Sequence, residues 1–166
     1  MSLRRLLHRS AALMALMLAF GAVLVGPQAA SASPGQVIKV DVTGAVFTCS
    51  DGSTYTVTSG LAVSLFHEST DSAGGLHITG TIAPTHVTLS HSTDDLTYRL
   101  AGASWFGGNL RSVGGSFTDT EHFVIMGSSG GPVANVSITA HFTANAQGVV
   151  TVEFEKNSGT CTPPED

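Results

Sequence analysis

Cations are scarce in this chain. It holds 7 Lys and Arg against 12 Asp and Glu, and Arg4, Arg5 and Arg9 lie within the first ten residues. From residue 33 onward only Lys39, Arg99, Arg111 and Lys156 face the twelve carboxylates, a net charge of −8. Nucleic-acid binding depends on neutralising phosphates with Lys and Arg, so this balance excludes it as a main role. The same deficit argues against an anionic membrane surface as partner. Helical spacing of apolar residues is also missing after residue 33, and so is any apolar run long enough to span a bilayer. Cysteine is limited to Cys49 and Cys161, with no CxxC pair to suggest a metal knuckle or redox motif. A single tryptophan, Trp105, completes the short supply.

The first 32 residues read as a secretory signal peptide that is removed. A basic start is followed by an apolar stretch at 11–25 and by Ala30-Ser31-Ala32, a small-x-small cleavage site. That stretch is shorter than the roughly 20 residues that cross a membrane, and no Cys sits at the cleavage point to carry a lipid. The expectation is therefore a secreted, extracellular protein with no stable membrane anchor after cleavage. Residues 33–166 then form one domain, a size that buries one hydrophobic core.

What fills this domain is period-two alternation. In the stretch 74–102, Leu76, Ile78 and Ile82 oppose His77, Thr79 and Thr81. Val87 and Leu89 oppose His86, Thr88 and Ser90, and Leu96, Tyr98 and Leu100 oppose Thr97 and Arg99. Each run predicts a half-buried strand, with breaks at Ala83-Pro84 and at 92–95. Before it, 37–49 alternates as a first strand with Gly44 as a bulge, and Asp51-Gly52 marks a hairpin into 54–58. Ser59-Gly60 reads as a break before 61–68. Residues 101–115 look irregular around their glycines, and strands follow at 116–126, 133–144 and 149–155. The sum is an all-β fold, a single antiparallel barrel or sandwich of about eight strands. Cys49 and Cys161 pair as one disulfide in an oxidising compartment, tying the first strand to the last. Closing so long a loop stabilises by at most about 4–5 kcal/mol in the chain-entropy picture.

Candidate chemistry is thin. The segment GSSGGPV at 127–133 resembles the GDSGGP nucleophile loop of chymotrypsin-like serine proteases, with Ser128 in the place of Asp, and Ile138-Thr139-Ala140-His141 loosely resembles that family's histidine motif. The resemblance implies Ser129 as nucleophile, but His141 follows it, against that family's order, and a strand separates the two. A Gly/Ser turn between strands explains the segment more simply. Among the histidines, His77, His86 and His141 share the hydroxyl-bearing faces of their strands, and a metal would need those strands to be neighbours. Trp105 and Phe106, set among glycines, suit a sugar or protein contact, although a tryptophan closing one barrel end is the commoner arrangement. Asp94-Asp95 and the Glu153/Glu155 pair read as a turn and a solvated edge strand.

In general character, an Arg-led leader followed by a Gly/Thr/Ser-rich domain with two cysteines, the chain resembles the small secreted all-β proteins of actinobacteria. The resemblance implies a compartment and no activity. The sequence therefore assigns no catalytic residue, no metal ligand and no cofactor. It favours a non-enzymatic domain that binds a small molecule or protein, with Trp105, Phe106, His77, His86 and His141 as candidate contacts. The alternative is a small barrel isomerase or hydrolase. That requires two or more of His67, His77, His86, His122, His141, Asp119 and Glu121 to enter one concavity.

Overall fold

Alternation of this kind, repeated without a helical segment, leaves one sheet as the way to bury apolar side chains. The computed structural model describes residues 31–162, and the expected leader, apart from Ser31 and Ala32, lies outside them. Ten antiparallel strands form a single sheet: β1 (Ser31–Ala32), β2 (Gln36–Asp41), β3 (Val46–Cys49), β4 (Thr54–Thr70), β5 (Leu76–His91), β6 (Asp94–Arg111), β7 (Gly114–Met126), β8 (Pro132–Asn145), β9 (Val150–Asn157) and β10 (Cys161–Thr162). The order is β10-β3-β4-β5-β6-β7-β8-β9, with β1 and β2 also pairing with β4. The sheet curls into a nearly closed, all-β barrel.

Two strands change partner along their length, and this divides the barrel into two ends. The first half of β4 pairs with β3 and the second half with β2. The switch falls at the register shifts around Ser59 and Gly60. Gly60 has φ +128°, a conformation other residues resist, and a Cβ there would strike Val87. Similarly, β8 pairs with β9 from Ile138 onward, whereas its earlier residues meet the lead-in to β10. There Ser158 N donates to Ser137 O (2.9 Å) and Asn135 N to Thr160 Oγ1 (3.0 Å). β10 in turn pairs with β3, placing Cys161 directly opposite Cys49. Strands β3, β10 and β8 thus close one end, and the Cys49–Cys161 disulfide fastens the seam.

The core sits at this closed end. Leu89 and Ile125 are fully excluded from solvent, packed with Phe47, Tyr55, Val57, Val87, Tyr98, Val136 and Ile138. At the other end β2 and β9 are edge strands, exposed along their whole length.

The turns explain much of the acid content. Asp41, Asp51, Asp71 and Asp94 each accept the backbone N–H two residues on, as do Asn145 and Asn157, all at 2.8–3.0 Å. These are Asx turns, in which a short side chain satisfies backbone donors that a reversal leaves unpaired. The hydrogen bonds hold the four aspartates below the usual carboxylate range, Asp71 at about 2.

Strand boundaries depart from the sequence reading mostly by merging, and once by division. The two runs around Ala83-Pro84 are one strand, β5, and the apparent break is a bulge. Pro84 pairs with Ala62 on β4, but β5 leaves β6 between Ile82 and Thr88, so the missing N–H of Pro84 costs no ladder bond on that side. His86, with φ +53°, takes up the extra residue. Likewise Ser59-Gly60 lies within β4, the stretch 101–111 completes β6, and 37–49 splits into β2 and β3. The glycines of β6 serve close packing rather than irregularity: a Cβ on Gly102 would run into the His122 carbonyl of β7.

Two outcomes follow for stability. Leu89→Ala should cost about 2–5 kcal/mol, as for other fully buried leucines, measured by urea unfolding. Reducing the disulfide should lower stability by about 2–4 kcal/mol without abolishing the β-sheet far-ultraviolet spectrum; no change on reduction would show that the seam holds without it.

Candidate functional site

Register determines which side chains share the inner surface of the open end. One row runs through Phe66, Gly80, Phe106, Asp119, Ala140 and Glu155, on β4 to β9 in spatial order. The next row towards the closed end carries Ser64, Ile82, Ser104, Glu121 and Ile138, and the next towards the mouth carries Glu68, Ile78, Gly108, Phe117, Phe142 and Glu153. Directly paired residues lie on one face of a sheet. Ile138 belongs to the core and Ser104 is buried, which identifies this face as the inner one.

Phenylalanines dominate it. The Phe106 and Phe117 rings lie 6.1 Å apart and the Phe117 and Phe142 rings 5.2 Å apart, both stacked. Gly80 makes room for this arrangement, since a Cβ there would collide with the Phe106 ring and with Phe66. None of these rings belongs to the core cluster, and all remain half-buried.

Carboxylates stand beside the rings. Asp119 accepts a hydrogen bond from Ser104 Oγ at 2.7 Å. Burial pushes its carboxyl above the usual range, partly offset by that bond. Glu121, two residues along the same strand face, is pushed up to about 7, first by burial and then by the charges of Asp119 and Glu155. The described cations Lys39, Arg99, Arg111 and Lys156 all fall on the opposite face by register. The inner face of the open end is therefore aromatic and anionic, with no cation of its own.

The histidines do not join it. His77 lies on the outer face of β5, where its Nε2 is 3.1 Å from Asp71 Oδ2, a carboxylate that Arg111 also reaches at 3.1 Å. His141 is on the outer face of β8, its Nδ1 2.8 Å from Thr118 Oγ1. Strands β6 and β7 separate them, about 14 Å of sheet, and His86 is exposed at the β5 bulge. His67 and His122 are also outward, so of the seven residues considered for acid–base work the structure brings together only Asp119 and Glu121. Trp105 and Phe106 point to opposite faces: Phe106 joins the inner ring stack, while Trp105 is outward and 50% exposed, not closing a barrel end. Ser129 lies in the tight turn closed by Gly127 N to Gly131 O, and the strand carries His141 away from it.

Sequence reasoning missed a second constellation, at the closed end. His91 stacks on Tyr55 (centroids 4.4 Å apart) and meets the Tyr98 ring edge-on, while its Nδ1 is 2.9 Å from Asp94 Oδ2, which also accepts from the Tyr98 hydroxyl at 2.9 Å. The other ring nitrogen is buried without a hydrogen-bond partner. The imidazole is mostly covered and Asp94 stays one-third exposed, so the pair packs the rim of the barrel end. The i, i+3 spacing of His91 and Asp94 across a turn was the available signal.

Compared with family models, with curated proteins and with solved structures, the chain matches none of them. Its site is read from its own residues.

The two groups of acids set opposite pH dependences. The depressed turn aspartates contribute stability that is present above pH 4 and lost as pH falls through their folded values. Glu121, raised from 4.5 to about 7, contributes stability that is full below 4.5 and lost as pH rises through 7. Stability should peak at about pH 4–5 and decline towards pH 8. Glu121→Gln should flatten that decline and stabilise at pH 8 by about 1–3 kcal/mol, read by denaturant unfolding at both pH values.

Proposed function

We propose that this is a secreted, non-enzymatic binding protein of the extracellular space or cell envelope, whose ligand is an amphipathic molecule with a cationic head. The leader-like residues 1–32 and the disulfide support the compartment, and no helix among the described residues is long and apolar enough to cross a membrane. The observation that carries the ligand class is the inner face of the open end. Four phenylalanines left out of the core lie beside Asp119 and Glu121 on a concave sheet, with the gap between edge strands β2 and β9 as an entrance. Apolar contact supplies affinity, and partly desolvated carboxylates without a cation of their own select for positive charge. Uptake of such a head would also draw Glu121 back towards its ionised form, coupling binding to proton release.

A second reading rests on the same pair: a carboxyl held near pH 7 beside an ionised neighbour suits general acid–base catalysis, as a small hydrolase or isomerase would use it.

Titration calorimetry with dodecyltrimethylammonium, dodecanoate and dodecyl maltoside tests the proposal. The cationic amphiphile should bind at least about tenfold tighter than the other two, and Phe117→Ala and Glu121→Gln should each weaken it. Equal affinity for all three chains contradicts the ligand class. If the amphiphiles do not bind, and nitrophenyl esters or glycosides are instead turned over with a rate that Glu121→Gln removes, the catalytic reading replaces it.

A further inference from the structure

The outer surface at Trp105 stands apart from the site just described. Trp105 is opposite Thr81 on β5 and Thr120 on β7, so all three side chains project from one row of the outer face. Along its own strand the outward neighbours are Ala103 and Gly107, and diagonally across lie Thr79, Thr118 and His122. Apart from His122 these neighbours are small, and the indole stands above the sheet, 50% exposed. His122 is placed beside it, ring centroids 6.3 Å apart, held by an Nδ1 contact of 3.2 Å with Ser137 Oγ; among the described residues its Nε2 has no hydrogen-bond partner. The row continues past Thr81 to Leu65, 43% exposed, and Val37, 60% exposed, so from Thr120 onward apolar surface and hydroxyls extend across five strands, about 19 Å.

Charge narrows what fits this strip. The outward positions of β5, β6 and β7 between residues 79–83, 103–107 and 118–122 carry no Asp, Glu, Lys or Arg. A flat aromatic ring bordered by hydroxyls and an imidazole, with no ionic partner, matches a ligand that is itself uncharged, with one C–H-rich face and hydroxyls around its rim. That is the surface of a pyranose ring. The cations of this face stand at its edges, Lys39 next along β2 from Val37 and Lys156 in line beyond Thr139, and they leave the aromatic centre uncharged; an anionic glycan would face a protein of net negative charge. The length of the strip favours a chain of rings over a single one. We propose that the outer face centred on Trp105 binds neutral polysaccharide, with the indole as stacking platform and Thr79, Thr81, Thr120 and His122 as hydrogen-bonding border.

Because Trp105 is the only tryptophan in the chain, its fluorescence reports on this surface alone. Titration with soluble cello-, chito-, manno- and malto-oligosaccharides should shift the emission to shorter wavelength for at least one series and protect it from iodide quenching. Retention on the matching insoluble polysaccharide should fall at least about tenfold in Trp105→Ala and be unchanged in Val113→Ser, which removes an exposed apolar residue at the β6–β7 turn. Should Trp105→Ala fail to fold, Thr81→Lys with Thr120→Lys tests the same surface with the indole in place, and the same loss is expected. Retention independent of these substitutions, or no emission change with any of the four series, overturns the proposal. An emission shift that follows protein concentration without sugar also overturns it, in favour of self-association. Loss of amphiphile binding leaves these expectations untouched, since the two surfaces lie on opposite faces of the sheet.

Discussion

The pairing of β10 with β3, with Cys161 set against Cys49, is the constraint on which the rest of the barrel depends. A curled sheet with two free edges gains little until those edges meet, and here they meet over a short length only. The lead-in to β10 bridges to β8 through Asn135 and Ser137, and two residues of β10 bridge to β3. So slight a seam supplies few ladder bonds of its own, and a covalent link is the appropriate fastening for it. The buried cluster around Leu89 and Ile125 lies under this seam, where a closed ring of strands excludes water from every side, and towards the mouth Ile78 is buried apart from it.

Beyond Gly60 on β4 and Ile138 on β8, the same strands acquire different partners and the ring opens. This frees the inner face from the duty of packing. Phe66, Phe106, Phe117 and Phe142 then form an aromatic lining in place of a core, and Asp119 and Glu121 persist there although burial disfavours their charge. Carboxylates that destabilise the protein near neutral pH, on strands that would accept apolar residues at the same positions, are what a binding surface retains at the expense of stability. The outer face is organised differently, as hydroxyls around a single indole. The two faces of β6 thus carry Phe106 and Trp105, adjacent in sequence and directed at different chemistry.

Much of the architecture was legible in the residues. Alternation in β7 and β8 determined their extent within two residues, and Asp51-Gly52 marked its turn through side-chain chemistry that acts locally. The cysteine pairing followed from an even count and the expected oxidising compartment. Three features were not legible. Ala83-Pro84 and Ser59-Gly60 look like breaks because a bulge and a turn use the same residues; only the neighbouring strands decide between them. Residues 101–111 looked irregular because their glycines answer to close approach by β5 and β7, which is a tertiary property. The candidate site was only half visible. Asp119 and Glu121 were singled out, and Trp105 and Phe106 were noted, but period two alone does not say which face of a strand turns inward. The histidines do not converge: His77 and His86 stand nine residues apart along β5, and His141 is three strands away on the outer face of β8.

The division into a closed end that holds the fold and an open end that presents a surface can be tested directly by amide hydrogen exchange read residue by residue. The account predicts the slowest exchange in 54–57, 87–91, 98–100, 123–125 and 134–138, and markedly faster exchange in β2, β9 and the mouth-facing ends of β5 to β8. Protection that is uniform along the long strands, or greatest in β2 and β9, would contradict it.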